Sequence, residues 1–419
     1  MASSPKKQIS VGVDIGNTQV ITVVGSYDMD TGDMTIIGYG KTPISGMRKG
    51  MVIDLEETTA TISNSLEEAE RMSGAPIDHA LISIAGQHIH SSNSRGVVAV
   101  SRSSSEIQRD DIERAVEAAK AFSMPANREV IHVISRSFIV DGQEGIKDPL
   151  GMKGIRLEVD THVITASSPV VKNILKCAYE AEIDVDEIVL SSLAAAKILL
   201  TGKQKEIGAV LVDIGGAGTN IAIFEEGEVV HTAFIPIGAS HITNDIAIGL
   251  RTSIESAEKV KVEYGAAHPK MASERDVIDL SLIDSSADKA NISRKYIVEI
   301  INARLEEIFA MVKDELRRIG RDGLLPAGAI LTGGGSSLPG IVDVARENLR
   351  LPAQLGEIIV PITSIDKAIL LDPSFTTAIG LSVWGLESKK SDNLVKSVFE
   401  GLRGASNVID KIKNLFSKK

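Results

Sequence analysis

Apolar positions alternate from residue 8 to 25 and again from 34 to 40, the period of half-buried strands. From Leu55 to Ser73 the rhythm switches, with Ile62, Leu66 and Ala69 recurring at helical spacing, so the chain opens as a β-meander followed by a helix. Between about His79 and Val163 the pattern predicts a strand at Ala80–Ile84, a Ser-rich turn at Ser91 to Ser94, a strand Gly96–Val100 and a polar helix Asp110–Phe122. Strands at Glu129–Val140 and Gly154–Thr165 follow. Together these elements describe a small α+β subdomain inserted into a larger domain. A helix Pro169–Ala181 and an Ala-rich helix Ser191–Leu200 then return the chain across the middle, and a hairpin runs from Ile207 to Phe234. A charged helical excursion lies between about His241 and Tyr296 and includes a helix Ile254–Tyr264. The long helix Ile297–Ile319 carries Ile301, Leu305, Ile308, Val312 and Leu316 on one face, as a helix packed on a sheet does.

A chain of 419 residues exceeds what one hydrophobic core usually serves, so two major domains are expected. The net charge of −11 argues against a nucleic-acid surface. Cys177 stands alone, which rules out a disulfide framework and suits a reducing cytoplasm, with a buried thiol as its ordinary role. Met1 to Lys7 contains no apolar signal core, and no apolar run is long enough to span a bilayer.

Three glycine turns, each following an apolar strand, carry the candidate chemistry: Val11-Gly-Val-Asp-Ile-Gly-Asn-Thr-Gln-Val20, Val210-Leu-Val-Asp-Ile-Gly-Gly-Ala-Gly-Thr-Asn220 and Ala329-Ile-Leu-Thr-Gly-Gly-Gly-Ser-Ser-Leu-Pro-Gly340. Glycine accepts positive φ and admits close backbone approach, so turns at Gly16 and at Gly215, Gly216 and Gly218 can aim N–H donors at phosphate oxygens. Asn17, Thr18, Gln19, Thr219 and Asn220 add neutral donors, and Gly333, Gly334, Gly335 and Ser336 form the third turn. Asp14 and Asp213 end their strands just before the turns, where each can accept from water bound to Mg2+, a cation that tends to keep its water shell. No lysine is required by that design. A lone Asp-Ile-Gly is usually a tight β-turn, but a matched pair with a third turn in order points to a nucleotide. Glu258 and Lys261 share a helix face three residues apart, and their place between the second and third turns suits the ribose hydroxyls, although on spacing alone they would be a surface ion pair. The predicted architecture is an α/β, two-domain actin-like ATPase fold.

After Trp384 the sequence turns polar and then ends in an amphipathic stretch. Val408, Ile409, Ile412, Leu415 and Phe416 form a single apolar stripe behind Ser406 as a helix N-cap. Residues 401–419 hold five basic side chains, Arg403, Lys411, Lys413, Lys418 and Lys419, against the single acid Asp410. Such an end on an acidic body suits an anionic membrane surface, where each lysine contributes roughly 1 kcal/mol and several copies in a polymer would hold firmly. Docking back onto the protein, or into a partner's groove, are the competing uses of the stripe.

The three turns, the runs Ile37-Gly-Tyr-Gly40, Gly46-Met-Arg-Lys-Gly-Met-Val-Ile-Asp54, Ala69-Glu-Arg-Met-Ser-Gly74 and Ile84-Ala-Gly-Gln-His-Ile89, and the amphipathic ending together resemble the bacterial FtsA family of cell-division proteins, membrane-anchored actin homologues, over nearly the whole chain. The resemblance implies a first domain at 1–78, 166–203 and 362–386 carrying an inserted subdomain at 79–165, and a second domain at 204–240 and 297–361 carrying a helical subdomain at 241–296. A linker at 387–405 and a membrane-targeting helix at 406–419 complete it. It further implies ATP with Mg2+, self-assembly into filaments on the inner face of the cytoplasmic membrane at the division site, tethering of FtsZ through its C-terminal peptide, and recruitment of later division proteins. Arg294, Lys295 and Arg304 are candidates for acidic groups of that peptide, although an exposed basic residue on a helix is usually only solvated.

Two departures from the family pattern stand out. The second loop has Ala217, Gly218 and Asn220 where Asp-Ile-Gly-Gly-Gly-Thr-Thr-Asp is usual, and Ser191, with Ser192 beside it, stands where related hydrolases commonly place a Gln or Glu. A hydroxyl is a poor base, so slow or negligible turnover is expected. A type IV pilus assembly ATPase would share the turns and the insertion but not the basic tail. A small-molecule kinase would need a catalytic acid or base in the first half, for which only Asp160 and His162 offer themselves, on the insertion's exit strand.

Overall fold

A computed structural model describes residues 7–29, 31–100, 105–121, 127–283 and 291–386. Its core is two sheets of matching topology. In the first, the order is Asp184–Leu190, His79–Ile84, Lys7–Ile15, Gln19–Asp28, Met34–Pro43 and Ile362–Ser364. In the second it is Ala353–Leu355, Gly328–Thr332, Ala209–Ile214, Thr219–Glu225 and Glu228–Ile235. Each sheet is an antiparallel three-strand meander extended by two parallel strands on the far side of its first strand. The register repeats as well: Asp14 lies opposite Ile21, and Asp213 opposite Asn220. Ala209–Ile214 is buried at every position, as a β-branched central strand covered on both faces should be.

Helices close both sheets. Leu55–Ser73 starts where the Asp54 side chain accepts from the Glu57 N–H and stops at Gly74, whose φ of 66° ends the helix in the left-handed region. The long helix runs Arg294–Arg318, three residues earlier than its apolar period indicated, with Ser293 at its N-cap position. Ile301, Leu305, Ile308, Val312 and Leu316 are all fully buried against the second sheet. The last described helix, residues 376–386, sinks onto the first sheet at Gly12, where an added Cβ would lie 2.6 Å from Leu381 Cβ and 2.9 Å from the Ser382 nitrogen. No helix among the described residues is long and apolar enough to cross a membrane.

The insertion is a four-stranded antiparallel sheet, ordered His90–Ala99, Arg156–Ser167, Arg128–Val140 and Gln143–Ile146, with the helix Arg109–Ala121 against it. Two sequence expectations are corrected here. His79–Ile84 pairs in parallel with the first hairpin strand and belongs to the first sheet, so the insertion begins after it rather than at 79. The serines from Ser91 to Ser94 form no turn: they pair with Ile164 to Thr161 inside a ten-residue edge strand, where one solvated face tolerates polar residues. The insertion also touches the second half. Ser91 Oγ donates to the Thr232 carbonyl at 2.8 Å, and His162 Nε2 lies 3.1 Å from Thr232 Oγ1. The expected linker at 387–405 and helix at 406–419 lie outside the described residues.

Candidate functional site

Both hairpins turn in the same way. The Gly16 N–H donates to the Gln19 carbonyl at 3.0 Å, and the Gly215 N–H to the Gly218 carbonyl at 2.9 Å. The helix Ala239–Leu250 starts on the second turn, with its Ala239 and Ser240 N–H groups on the Gly215 and Gly216 carbonyls at 2.9 and 2.8 Å. The reason for glycine differs from the sequence expectation. None of Gly16, Gly215, Gly216 and Gly218 has positive φ; close approach requires them instead. A Cβ on Gly216 would press on Thr18 Cγ2 and lie 3.1 Å from Ser240 Oγ, and one on Gly218 would run into the Phe234 ring. Positive φ is needed at Gly333, at 80°, where the third turn folds against Asp213 and Ile214.

The three turns enclose a cleft of about 750 Å3 between the halves. It is lined by Asp14, Gly16, Asn17, Thr18 and Gln19 from the first half and by Asp213, Gly215, Gly216, Gly218, Asn220, Glu258, Lys261, Gly333, Gly334 and Gly335 from the second. Thr219 and Ser336 were expected here and point elsewhere. Strand alternation sends Asn220 into the cleft and its neighbour Thr219 away, to donate to the Ile237 carbonyl at 2.8 Å, while Ser336 Oγ turns back onto the Gly333 carbonyl at 2.8 Å. Asn17 Oδ1 is occupied by the Gly50 N–H at 2.7 Å.

Asp14 and Asp213 face this cavity from opposite halves. Burial pushes Asp14 up to about 7; the Ser83 hydroxyl donating at 2.6 Å opposes that rise, and the charge of Asp213 adds to it. Burial likewise raises Asp213 above the usual carboxylate range, against the Asn220 amide, which donates at 3.0 Å. Two desolvated carboxylates on one cavity repel, and a divalent cation between them relieves both. No three His, Cys, Asp or Glu side chains among the described residues gather into a metal cage. The donor set therefore fits a Mg2+ held largely through water and phosphate oxygens.

At the other end, Lys261 Nζ donates to Glu258 Oε2 at 2.6 Å and to Thr243 Oγ1 at 2.8 Å. The lysine is 9% exposed, so this pair is anchored rather than merely solvated. Ser191 lines the cleft, but its hydroxyl is bonded to the Ile84 carbonyl at 3.2 Å, and Ser192 is buried. The kinase candidates lie elsewhere. His162 is packed in the insertion, its pKa lowered to about 3 by burial first and by His231 and Arg136 next, and Asp160 pairs with Arg95. Sequence reasoning missed Lys41, which joins the cleft wall beside Asp372 and Ser374.

A second, open groove of about 380 Å3 runs between the helices Ala239–Leu250 and Arg294–Arg318. Ile248, Tyr296, Ile300 and Ala303 form its apolar wall, and Asp245 and Arg304 pair beside them at 2.7 and 2.9 Å. Of the three basic residues expected at a peptide site, only Arg304 lines this groove. Arg294 holds the Tyr264 and Met271 carbonyls, and Lys295 pairs with Glu274.

The family model for cell division protein FtsA matches residues 210–380, and that for the SHS2 domain inserted in FtsA matches residues 86–165. A cell division protein FtsA from Pseudomonas aeruginosa is 40% identical over 399 residues, covering 95% of this chain and 94% of its own. Those from Borreliella burgdorferi and Bacillus subtilis are 37% and 38% identical, over 98% and 89% of this chain and 99% and 82% of theirs. The chain belongs to the FtsA family. The FtsA insertion model begins at 86, after His79–Ile84, in agreement with the sheet topology. Solved structures share the actin-like fold of this FtsA chain. A PilM–PilN type IV pilus biogenesis complex matches with a TM-score of 0.66 at 17% identity, covering 90% of this chain and 98% of that one. MreB5 of Spiroplasma citri bound to ADP matches with a TM-score of 0.54 at 14% identity, covering 92% and 98%.

Proposed function

We propose that this FtsA chain binds ATP with Mg2+ in the interdomain cleft and assembles on the cytoplasmic face of the cell membrane at the division site. There it holds FtsZ by its C-terminal peptide and helps recruit later division proteins. The observation that carries the nucleotide reading is the pair Asp14 and Asp213, two carboxylates raised by burial at the ends of matched hairpins on one cavity. The turn N–H groups cradle phosphates, Glu258 and Lys261 meet the ribose, and the cation neutralises the two acids. Hydrolysis is slow in this reading, because Ser191 offers a hydroxyl already committed to a carbonyl and no base.

The apolar wall of Ile248, Tyr296 and Ile300 beside Arg304 suits a short peptide that inserts an apolar residue and presents a carboxylate. The basic stripe of Val408, Ile409, Lys411, Ile412, Lys413, Leu415, Phe416, Lys418 and Lys419 is the proposed membrane contact. Liposome co-sedimentation with Mg-ATP tests the membrane-anchor part of this reading. The full chain is expected to pellet with anionic vesicles, and a chain stopped after Leu386 to remain in the supernatant; equal pelleting removes the anchor.

A further inference from the structure

The insertion is fastened at its root to the half that carries it. Arg128 donates to the His88 carbonyl at 2.7 Å and to Thr165 Oγ1 at 2.8 Å, and the Leu190 N–H, at the end of a strand of the first sheet, donates to His132 Nε2 at 3.0 Å. Ile131 packs into the apolar core of the first half, and the His132 ring lies 5.7 Å from that of Trp384 in the final helix. The insertion therefore moves with the first half.

Its outer contacts reach the second half. Besides the bonds of Ser91 and His162 to Thr232, Lys147 Nζ lies 3.3 Å from Glu206 Oε2 and donates to the Glu226 carbonyl. These ties follow the edge strand Glu228–Ile235 from its middle to the turn at Glu226, the end of the hairpin away from Gly218. Three strands of the insertion lie against that edge strand, and none of its residues is exposed. The ties are polar, so each exchanges a bond to water for one across the seam and gains little net.

One donor in the seam is left unmade. The strand Arg128–Val140 has a β-bulge at Arg136: Asp160 faces Ser137 and Thr161 faces Ser135, with Arg136 the extra residue between them. A bulge re-aims a side chain, and Arg136 Nε is buried without a hydrogen-bond partner. Its charge reaches both His162 and Glu228. Burial raises the Glu228 carboxyl above its usual range, against the pull of Lys147, Lys205 and Arg136. Docking thus takes a guanidinium and a carboxylate partly out of water without bonding one to the other, which weakens the seam.

We propose that the insertion is a strap across the two halves: it rides on the first, holds the second at Thr232 and Glu226, and gives way as the cleft opens, so the seam sets how fast a ligand leaves. That the ligand is a nucleotide rests on the reading above; the strap does not. Arg136 and Glu228 are its built-in weak point. Because the root is fixed to the first half, separation of the halves must be taken up where the insertion meets Glu228–Ile235.

Hydrogen exchange and release of a fluorescent ADP analogue with Mg2+ test this in the full chain, as wild type, Thr232→Val, Lys147→Ala and the double variant Arg136→Met with Glu228→Gln. Exchange is read at the outward N–H groups of Glu228–Ile235, those not bonded to Thr219–Glu225, with Ala209–Ile214 reporting global unfolding. Thr232→Val should speed exchange and release by about fivefold, and Lys147→Ala, at a pair with both partners more than half exposed, by about twofold. The double variant removes both unpaired charges and should slow exchange and release by about threefold. If it does not fold, Thr232→Val decides. Exchange at Glu228–Ile235 that tracks Ala209–Ile214 in every variant means that the seam opens only with global unfolding, and it overturns the strap; so does release that stays constant while exchange shifts. A wild type that binds no nucleotide in calorimetry overturns the cleft reading instead, and exchange alone then decides the strap.

Discussion

Thr18 and Gly216 meet tip to tip across the cleft: a Cβ added to Gly216 would press on Thr18 Cγ2 and lie 3.0 Å from its Oγ1. The two hairpins are thus in contact, and the spacing of the halves is set where the two glycine turns converge. Gly216→Ala should push the turns apart and weaken Mg-ATP by about tenfold, in line with the 1–3 kcal/mol that overpacking usually costs. Adding Thr18→Ala removes both opposing atoms and should recover part of the loss. Additive effects in that double-mutant cycle, measured by titration, would exclude a direct contact.

Asp14 predicts a stability that depends on pH and on ligand. Its folded-state pKa, raised by burial to about 7 from the ordinary 3.8 of an aspartate, means that the folded protein holds the proton more tightly than the unfolded chain. The charged carboxylate therefore costs stability above about pH 7, and the cost fades as pH falls through 7 and is gone below the unfolded value. Asp14→Asn should stabilise the ligand-free protein at pH 8 by on the order of a few kcal/mol at most, read as a higher melting temperature, with a smaller gain at pH 5.5. The same variant should lose stabilisation by Mg-ATP. A variant less stable than wild type at pH 8 would contradict this account.

The insertion's contact with the second half carries the opposite sign. His162 is held neutral, its pKa lowered to about 3, between Asn93 at 2.8 Å and Thr232 at 3.1 Å. Its unfolded form gains a proton below about pH 6.5, so stability present above that value is lost as pH falls toward 3. Replacing His162 by Asn should flatten the decline of melting temperature between about pH 6.5 and 4. His88 and His132, both lowered to about 4 chiefly by burial, would keep some slope.

Ile248 is 77% exposed and Tyr296 46% exposed, so substitutions there leave the fold intact. Ile248→Glu should weaken an FtsZ C-terminal peptide by about tenfold in fluorescence anisotropy, through loss of an apolar contact worth roughly 1.5–3 kcal/mol when buried. Lys295→Ala, at an exposed pair outside the groove, should have little effect. The reverse ranking would move the peptide site to the start of the long helix.

Local patterns made much of this legible. The hairpins, both aspartates, the Glu258–Lys261 pair and the buried face of the long helix each follow from residues close in sequence, where period and spacing are informative. What escaped depended on partners far away in the chain. The strand His79–Ile84 was readable, but its sheet was not, because its pairing with Gly12 and Val13 is a long-range fact. Thr219 and Asn220 look equally suited to phosphate until strand alternation assigns one to each side. Lys41 carries no motif at all, and its partners Asp372 and Ser374 lie more than three hundred residues on.

The seating of the final helix on Gly12 bears on how the molecule would withstand mechanical pull. Residues 376–386 lie so close to the strand Lys7–Ile15 that no side chain separates the helix from its backbone there, and Ser382 and Gly385 extend the seat to Gly25 and Leu81. Force arriving through the chain beyond Leu386 would thus enter the sheet that bears Asp14 directly. Under the function proposed above, tension between membrane and filament would be felt first on the wall of the interdomain cleft.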